Sequence, residues 1–329
     1  MLIYDTLKIL KMQVENRPDN KKTKKRKNDK MANLNYKDFA RNRRGLKIKE
    51  VFDDEENLDE EASNLAGKGA YLKNKRINYV PKDVEKWSKE NNFEDFDKLF
   101  ENERVIIINK PVNIMVHPDD RSDEVTISDI VYDKYPDLRT VGEGDRFAIV
   151  HRLDRDTSGV LALCKNEAAF KEMKGLFYNH KIRKVYRAIV EGNLREDMGI
   201  IDSPIARARS DFRKKAVVDM FSKDFRGKER EALTRYKVLA RSEDKKFTYV
   251  ELYPLTGRTH QLRVHLRSIR HPIIGDELYG SKDSTSLAPR CMLHAYKLEF
   301  ILRKENIEVV APMPDDMQKV LLQYFGDKI

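Results

Sequence analysis

The chain has 329 residues, enough for one large domain with appendages or for two, and 40% of them are hydrophobic, so a core can form without covalent staples. Its two cysteines, Cys164 and Cys291, form no C-x-x-C pair, which sets aside a disulfide framework and a four-ligand zinc site and makes a reducing, intracellular compartment the expectation. Lys and Arg number 65 against 55 Asp and Glu, a formal charge of +10 that suits a polyanionic partner, and no apolar run approaches membrane-spanning length.

The opening MLIYDTLKILKM carries Asp5 and Lys8 and lacks a small-residue cleavage site, so it reads poorly as a secretory signal. Residues 1–50 read as a basic arm, disordered on its own, with KKTKKRK at 21–27 and ARNRRGLKIK at 40–49. Too few apolar side chains break this run to offset the entropy of ordering it. It fits a nucleic-acid arm or, in a nucleated cell, an import signal, and it fits a solvated tail equally well. Residues 51–100 form an acidic linker, DDEENLDEE at 53–61, followed by a poorly defined segment. Within it GAYLKNKRINYVP at 69–81 fits a strand or hairpin, as a remnant of a small RNA-binding module would. Residues 82–102 read as helical or irregular, with Trp87, Phe93, Phe96 and Phe100 available to pack on a neighbour.

From residue 101 to 329 the pattern is that of one folded domain. Short apolar or alternating runs ended by turn residues read as strands: VIIINKP at 105–111, FAIV at 147–150, GVLALC at 159–164, KVYRAIVEG at 184–192, FTYVELYPLTG at 247–257, MLHAYKLEFIL at 292–302 and IEVVAP at 307–312. Helical stretches are fewer, at 166–179, 259–270 and 315–325. Strands that outnumber helices without alternating with them point to an α+β fold, with a mixed, mainly antiparallel central sheet flanked by helices and loops.

Three stretches carry candidate chemistry. In HRLDRDTSG at 151–159, Asp154 sits at a strand end between Arg152 and Arg155, which favour a charged carboxylate; the spacing suits a nucleophile or base, and equally a structural ion pair. In PLTGRTHQLRVHLRSIR at 254–270, Thr259 reads as an N-cap, Leu262, Leu266 and Ile269 form an apolar stripe, and Arg263, Arg267 and Arg270 form a cationic stripe beside it. Such a helix can aim an arginine into a cleft or simply present a solvated basic face. In KVYRAIVEG, Tyr186 follows the basic KIRK at 181–184 and could stack on an unpaired base, although a core or edge tyrosine is the commoner case. His260 and His265 are five residues apart without the Glu of H-E-x-x-H, and the other histidines noted, His151, His180, His271 and His294, fall in separate segments, so no metal site is expected. HRLD is not the kinase H-R-D-L, and no glycine-rich or Walker loop accompanies it.

In order along the chain, NKPVNIMVHP (109–118), HRLDRDTSGVLAL (151–163), KVYRAIVEG (184–192), PLTGRTHQLRVHL (254–266), HPIIGDELYG (271–280), LHAYKLEF (293–300) and APMPDDM (311–317) resemble the RluA-type pseudouridine synthase family. The resemblance covers roughly 100–325. It implies isomerisation of uridine to pseudouridine in structured RNA, ribosomal or transfer, with neither a metal nor an organic cofactor. It matches Asp154 to the essential aspartate, Tyr186 to the tyrosine beside the target base, Leu262 to the apolar wall of the uracil pocket, and Arg263 to the basic partner of the aspartate. Arg152 matches the position that enters the RNA stack as the uridine flips out. The expectations that follow are an RNA partner, no membrane and a cytoplasmic location, nuclear or organellar in a eukaryote; no protein partner is implied. A non-catalytic RNA-binding protein that keeps the fold is the alternative. Methyl transfer would want a glycine-rich cofactor loop and deamination an H-x-E with C-x-x-C, and the sequence has neither.

Overall fold

The computed structural model describes residues 82–118, 123–218 and 224–326; the basic arm, the acidic block and the 69–81 segment lie outside them. In chain order the elements are α1 (Val84–Glu90), β1 (Asp97–Glu101), β2 (Val105–Lys110), α2 (Ile127–Lys134), β3 (Ser158–Cys164), α3 (Glu167–Tyr178), β4 (Arg183–Glu191), β5 (Met198–Asp202), β6 (Ile205–Ala208), β7 (Lys215–Val217), β8 (Phe225–Arg230), β9 (Leu233–Arg241), β10 (Phe247–Pro254), α4 (Gln261–Ser268), β11 (Leu293–Leu302), β12 (Glu305–Val310) and α5 (Asp315–Phe325).

Among the described residues nine strands form one mixed sheet, in the order β1-β2-β3-β11-β4-β10-β9-β5, with β12 added to β11. Only β3 and β11 run parallel, through His294 and Ala295; from Lys297 onward β11 pairs with β12. The α+β architecture with a mainly antiparallel sheet is therefore the one expected. β3 has no exposed residue, because the sheet is covered on both faces there. This explains why SGVLALC is apolar without alternation.

Two cores flank the sheet. One gathers β2, β3, α2, α3 and β12, the other β4, β10, α4 and α5, and Tyr186 packs against both. The helices bury single stripes. Asn166 caps α3 by accepting from the Ala169 N–H, and Ala169, Phe170 and Met173 face the core. On α5 the buried set is Met317, Val320, Leu321 and Phe325. A separate three-stranded sheet, β7-β6-β8, packs Ile205 and Val217 against Val264 and Tyr279.

Several local expectations are corrected. FAIV at 147–150 is not a strand: Ala148 has φ +62°, and only an isolated bridge joins Ile149 to Leu163. Its residues are apolar because Phe147, Ala148 and Ile149 are buried in a turn. The 82–102 stretch splits into α1 and the edge strand β1, and its aromatic rings chain together from Trp87 through Phe93 and Phe96 to Tyr135, with centroids 5.3–6.1 Å apart. α2 carries no strong apolar period, yet a capping box of Thr126 and Asp129 starts it. β5 to β9 were not expected either, because strands such as FRGKER are mostly exposed and polar.

Candidate active site

The geometry starts from one row across the sheet. Gly159 on β3, Ala295 on β11 and Tyr186 on β4 are in register. Two small residues therefore stand beside a tyrosine, and the 151–157 loop enters from the Gly159 end. Gly159 has φ +110°, and a Cβ there would overlap the Ala295 carbonyl oxygen. Glycine is required both by conformation and by the close approach of the parallel strand.

The loop is nailed down from beneath by two buried cations. Lys110, at the end of β2, donates to the carbonyls of Pro111 (2.7 Å), Thr157 (3.0 Å) and Arg155 (3.1 Å). Burial draws its pKa down to about 7, opposed by the charges of Asp156 and Asp154. Arg290 donates to the Asp156 carbonyl (3.1 Å) and forks onto Asp316 of α5 at 2.6 and 2.9 Å. Leu153 points into the core, as expected for a residue between two that face outward. Asp154 is left partly accessible, its side chain 18% exposed.

Arg263, in the first turn of α4, reaches this carboxylate: its Nη1 lies 3.4 Å from Asp154 Oδ2. The same guanidinium forks onto Asp276, with Nε–Oδ2 and Nη2–Oδ1 both 2.7 Å. Burial alone would lower the Arg263 pKa, but the Asp276 pair raises it above the ordinary arginine range. Burial would likewise raise Asp276, and Arg263 together with the N–H groups of Leu278 and Tyr279 holds it below the usual carboxylate range. Arg263 is thus a fixed cation set by one carboxylate and presented to another. It does not belong to a solvated basic stripe with Arg267 and Arg270, which are exposed while Arg263 is buried.

Two further expectations change. The cation beside Asp154 is Arg263 rather than its sequence neighbours, since Arg155 pairs with Glu124 at 2.7 Å. Thr259 is not the cap of α4: His260 holds that place in a left-handed conformation (φ +59°) and hydrogen-bonds the Tyr279 hydroxyl at 3.0 Å. The start of α4 is sewn instead by Gln261, which accepts from Thr256 Oγ1 (2.7 Å) and the Arg258 N–H (3.0 Å) and donates to the Leu233 carbonyl (3.0 Å).

Tyr186 is half-buried, and burial first, then the charge of Asp154, pushes its hydroxyl above the ordinary range. Leu262 is buried in the core that Tyr186 also touches. Arg152 stands exposed at the head of the loop; burial first, then nearby cations that include Arg152, lowers the pKa of both His117 and Lys215. The fold thus brings Asp154, Tyr186 and Arg263 together, seats Leu262 beside Arg263, and leaves Arg152 at the rim. Sequence reasoning missed Lys110, Asp276, Arg290 and Gln261. Lys110 had a legible signal, a lone cation ending the apolar VIIIN run; Asp276 had none beyond its place in GDELYG. His151, His271 and His294 hydrogen-bond within the fold, to Ala162 N–H, the Glu191 carbonyl and Ser158 Oγ respectively. Among the described residues no three His, Cys, Asp or Glu side chains are grouped to hold a metal, and no helix is long and apolar enough to cross a membrane.

The sequence profile of RNA pseudouridylate synthases matches residues 104–268, which hold Asp154, Tyr186, Leu262 and Arg263. An uncharacterized RNA pseudouridine synthase of Synechocystis is 35% identical over 229 residues, covering 69% of this chain and 68% of its own. A ribosomal large subunit pseudouridine synthase D of Zymomonas mobilis is 36% identical over 230 residues, covering 67% and 70%. The solved structure of human RNA pseudouridylate synthase domain containing 1 superposes with a TM-score of 0.55 at 28% identity, over 67% of this chain and 84% of that one. This chain belongs to the RNA pseudouridylate synthase family, in its RluA-type branch.

Proposed function

We infer that the protein converts specific uridines in structured RNA to pseudouridine, and that Asp154 supplies the carboxylate that acts at the ribose. The observation that carries this reading is the relay Asp154–Arg263–Asp276. A partly accessible carboxylate at the mouth of a small-residue row faces a cation whose own geometry is locked by a second, buried carboxylate. In the isomerisation the N1–C1′ bond breaks, the uracil turns, C5 bonds to C1′, the C5 hydrogen leaves as a proton and N1 takes up a proton, so no oxidant, reductant or added group enters. Asp154 either attacks the sugar covalently or removes a ribose proton to give a glycal, and both routes need its carboxylate held against the ribose.

The target atom is out of reach in stacked RNA, so the uridine is extruded. In this reading Tyr186 lies beside the base, Leu262 lines the uracil pocket, and Arg152 takes the vacated place in the stack. Ribosomal RNA is the foremost substrate because relatives that align over two-thirds of this chain carry large-subunit ribosomal names; transfer RNA is the other class. Residues 101–329 carry the catalysis together with α1 and β1, which complete their core and sheet, residues 1–50 add sequence-independent affinity through their Lys and Arg, and the acidic stretch at 53–61 lies between the two in sequence. The enzyme works in the cytoplasm, or in the nucleus if KKTKKRK acts as an import signal.

Tritium release from total RNA labelled at uridine C5 tests the reading, with wild type beside Asp154→Asn. Release by wild type and only background from Asp154→Asn is the expected result. No release from either, with RNA binding intact, would make the protein a non-catalytic RNA binder on the synthase fold. Release by both would remove Asp154 from its role.

A further inference from the structure

The small sheet beside the site carries an arrangement that the fold does not need. Arg207 on the central strand β6 is directly opposite Lys215 on β7 and Arg226 on β8. Cross-strand neighbours share a face, with strands about 4.7–4.9 Å apart, so three cations stand in one row roughly 10 Å long. Like charges placed directly opposite are destabilising. Among the described residues no carboxylate forms an ion pair with any of the three; the nearby acids are engaged elsewhere, Asp211 with Arg213 and Asp224 with Ser210.

The row lies beside the Asp154–Arg263 site. Arg207 follows buried Ile205 by two residues and so lies on the face that packs against α4. The Lys215 N–H donates to the Tyr279 hydroxyl at 2.7 Å, the same hydroxyl that meets His260, and the Tyr279 ring lies 5.1 Å from the Arg263 guanidinium. Burial first, then Arg207, Arg230 and Arg152, lowers the Lys215 pKa, so these cations crowd one region. Arg207 and Arg226 are exposed, Lys215 half-buried.

We propose that Lys215, Arg207 and Arg226 form a track for the phosphodiester backbone of the substrate RNA, leading the strand that flanks the target uridine from the rim at Arg152 across the three-stranded sheet. The track rests on the RNA-modifying function inferred above and names where that RNA leaves the site. Phosphates relieve the repulsion in the row, and an extended row of single charges matches a repeating anion better than it matches an isolated one.

The test compares full-length wild type with Arg207→Gln/Lys215→Gln/Arg226→Gln. A second triple, Lys171→Gln/Lys304→Gln/Lys319→Gln, removes the same charge from exposed positions on α3, the β11–β12 turn and α5. Binding of a fluorescent, uridine-containing stem–loop RNA is titrated across a salt series, and tritium release is followed in parallel. Each phosphate contact contributes roughly 0.7–0.9 to the slope of log affinity against log salt. The track triple should flatten that slope by about two, and the control triple should lose much less. Its melting temperature should equal or exceed that of wild type, because repulsion has been removed, whereas a structural role would lower it. If the triple unfolds, Arg226→Gln alone, on an exposed strand, should still flatten the slope by a little under one. An unchanged slope in the track triple, beside a wild type that binds and releases tritium, overturns the track alone, as does an equal loss in the control triple. A wild type that neither binds the RNA nor releases tritium overturns the function and the track together.

Discussion

At the scale of single residues the site depends on what a guanidinium does that an ammonium cannot. Arg263 uses three of its nitrogens on two carboxylates at once, two of them on Asp276 at 2.7 Å. A lysine is a point charge on a flexible stem and cannot hold both. Arg263→Lys therefore keeps the charge but frees the orientation of Asp154. Turnover should fall by about 10²-fold, the scale of a small misplacement at a reacting centre. RNA affinity should change little, because Arg263 is buried behind the carboxylate. Single-turnover tritium release alongside RNA titration separates the two, and equal losses in both would mean that Arg263 serves binding. Asp276 would also lose a partner, with a stability cost of about 1–3 kcal/mol visible as a lower melting temperature.

Among elements, the junction of β3 with β11 matters most, since among the described residues it is the one parallel contact in the sheet and the Asp154 loop runs into it. Gly159→Ala places a Cβ against the Ala295 carbonyl at φ +110°. The conformation alone costs about 1–3 kcal/mol, and the overlap must further separate β3 from β11. The variant should melt at a lower temperature and lose activity beyond what its unfolded fraction explains, because Thr157 and Ser158 anchor the Asp154 loop to Lys110 and Arg290. Wild-type activity in the folded fraction would show that the loop is held independently of this junction. α5 belongs to the same support, as Arg290 joins its Asp316 to the Asp156 carbonyl.

For the molecule as a whole, buried histidines set its response to acid. The Ala162 N–H donates to His151 Nε2, so that ring must be neutral, and burial draws its pKa down to about 3; His294, inside the same half of the sheet, is drawn to about 4, again by burial first. An unfolded histidine takes up its proton near pH 6.5. Between there and pH 4 the unfolded chain binds protons that the folded chain refuses, so stability falls as the pH drops through this window. Asp276, held below the usual carboxylate range, loses its contribution only at still lower pH. The urea midpoint should therefore fall from pH 7 to pH 5, before carboxylates titrate; a flat profile would show that these rings accept protons in the fold.

Much of this protein was legible in its sequence because the informative signals are local. Apolar runs such as VIIINK and GVLALC must be buried whatever surrounds them, and they became β2 and β3 nearly to the residue. Asn166 and the stripe behind it specified α3, and the spacing from HRLD to GRTHQLR carried the family resemblance with Asp154, Tyr186, Leu262 and Arg263 in it. Other features depend on partners far along the chain. Whether Asp154 is paired by Arg155 or by Arg263, 109 residues away, follows from which element crosses above the loop. The buried supports Asp276 and Arg290 look like ordinary surface charges in sequence, Lys110 is marked only by its place at the end of an apolar run, and it is the packing around all three that removes water and leaves carbonyls and carboxylates as their partners. The cation row on β6, β7 and β8 is likewise invisible along the chain, because strand register alone sets Arg207 between Lys215 and Arg226. Local hydrophobic pattern determined the elements; the long-range pairing of charge with charge, and of strand with strand, was decided by the tertiary fold, where desolvation makes each partner count.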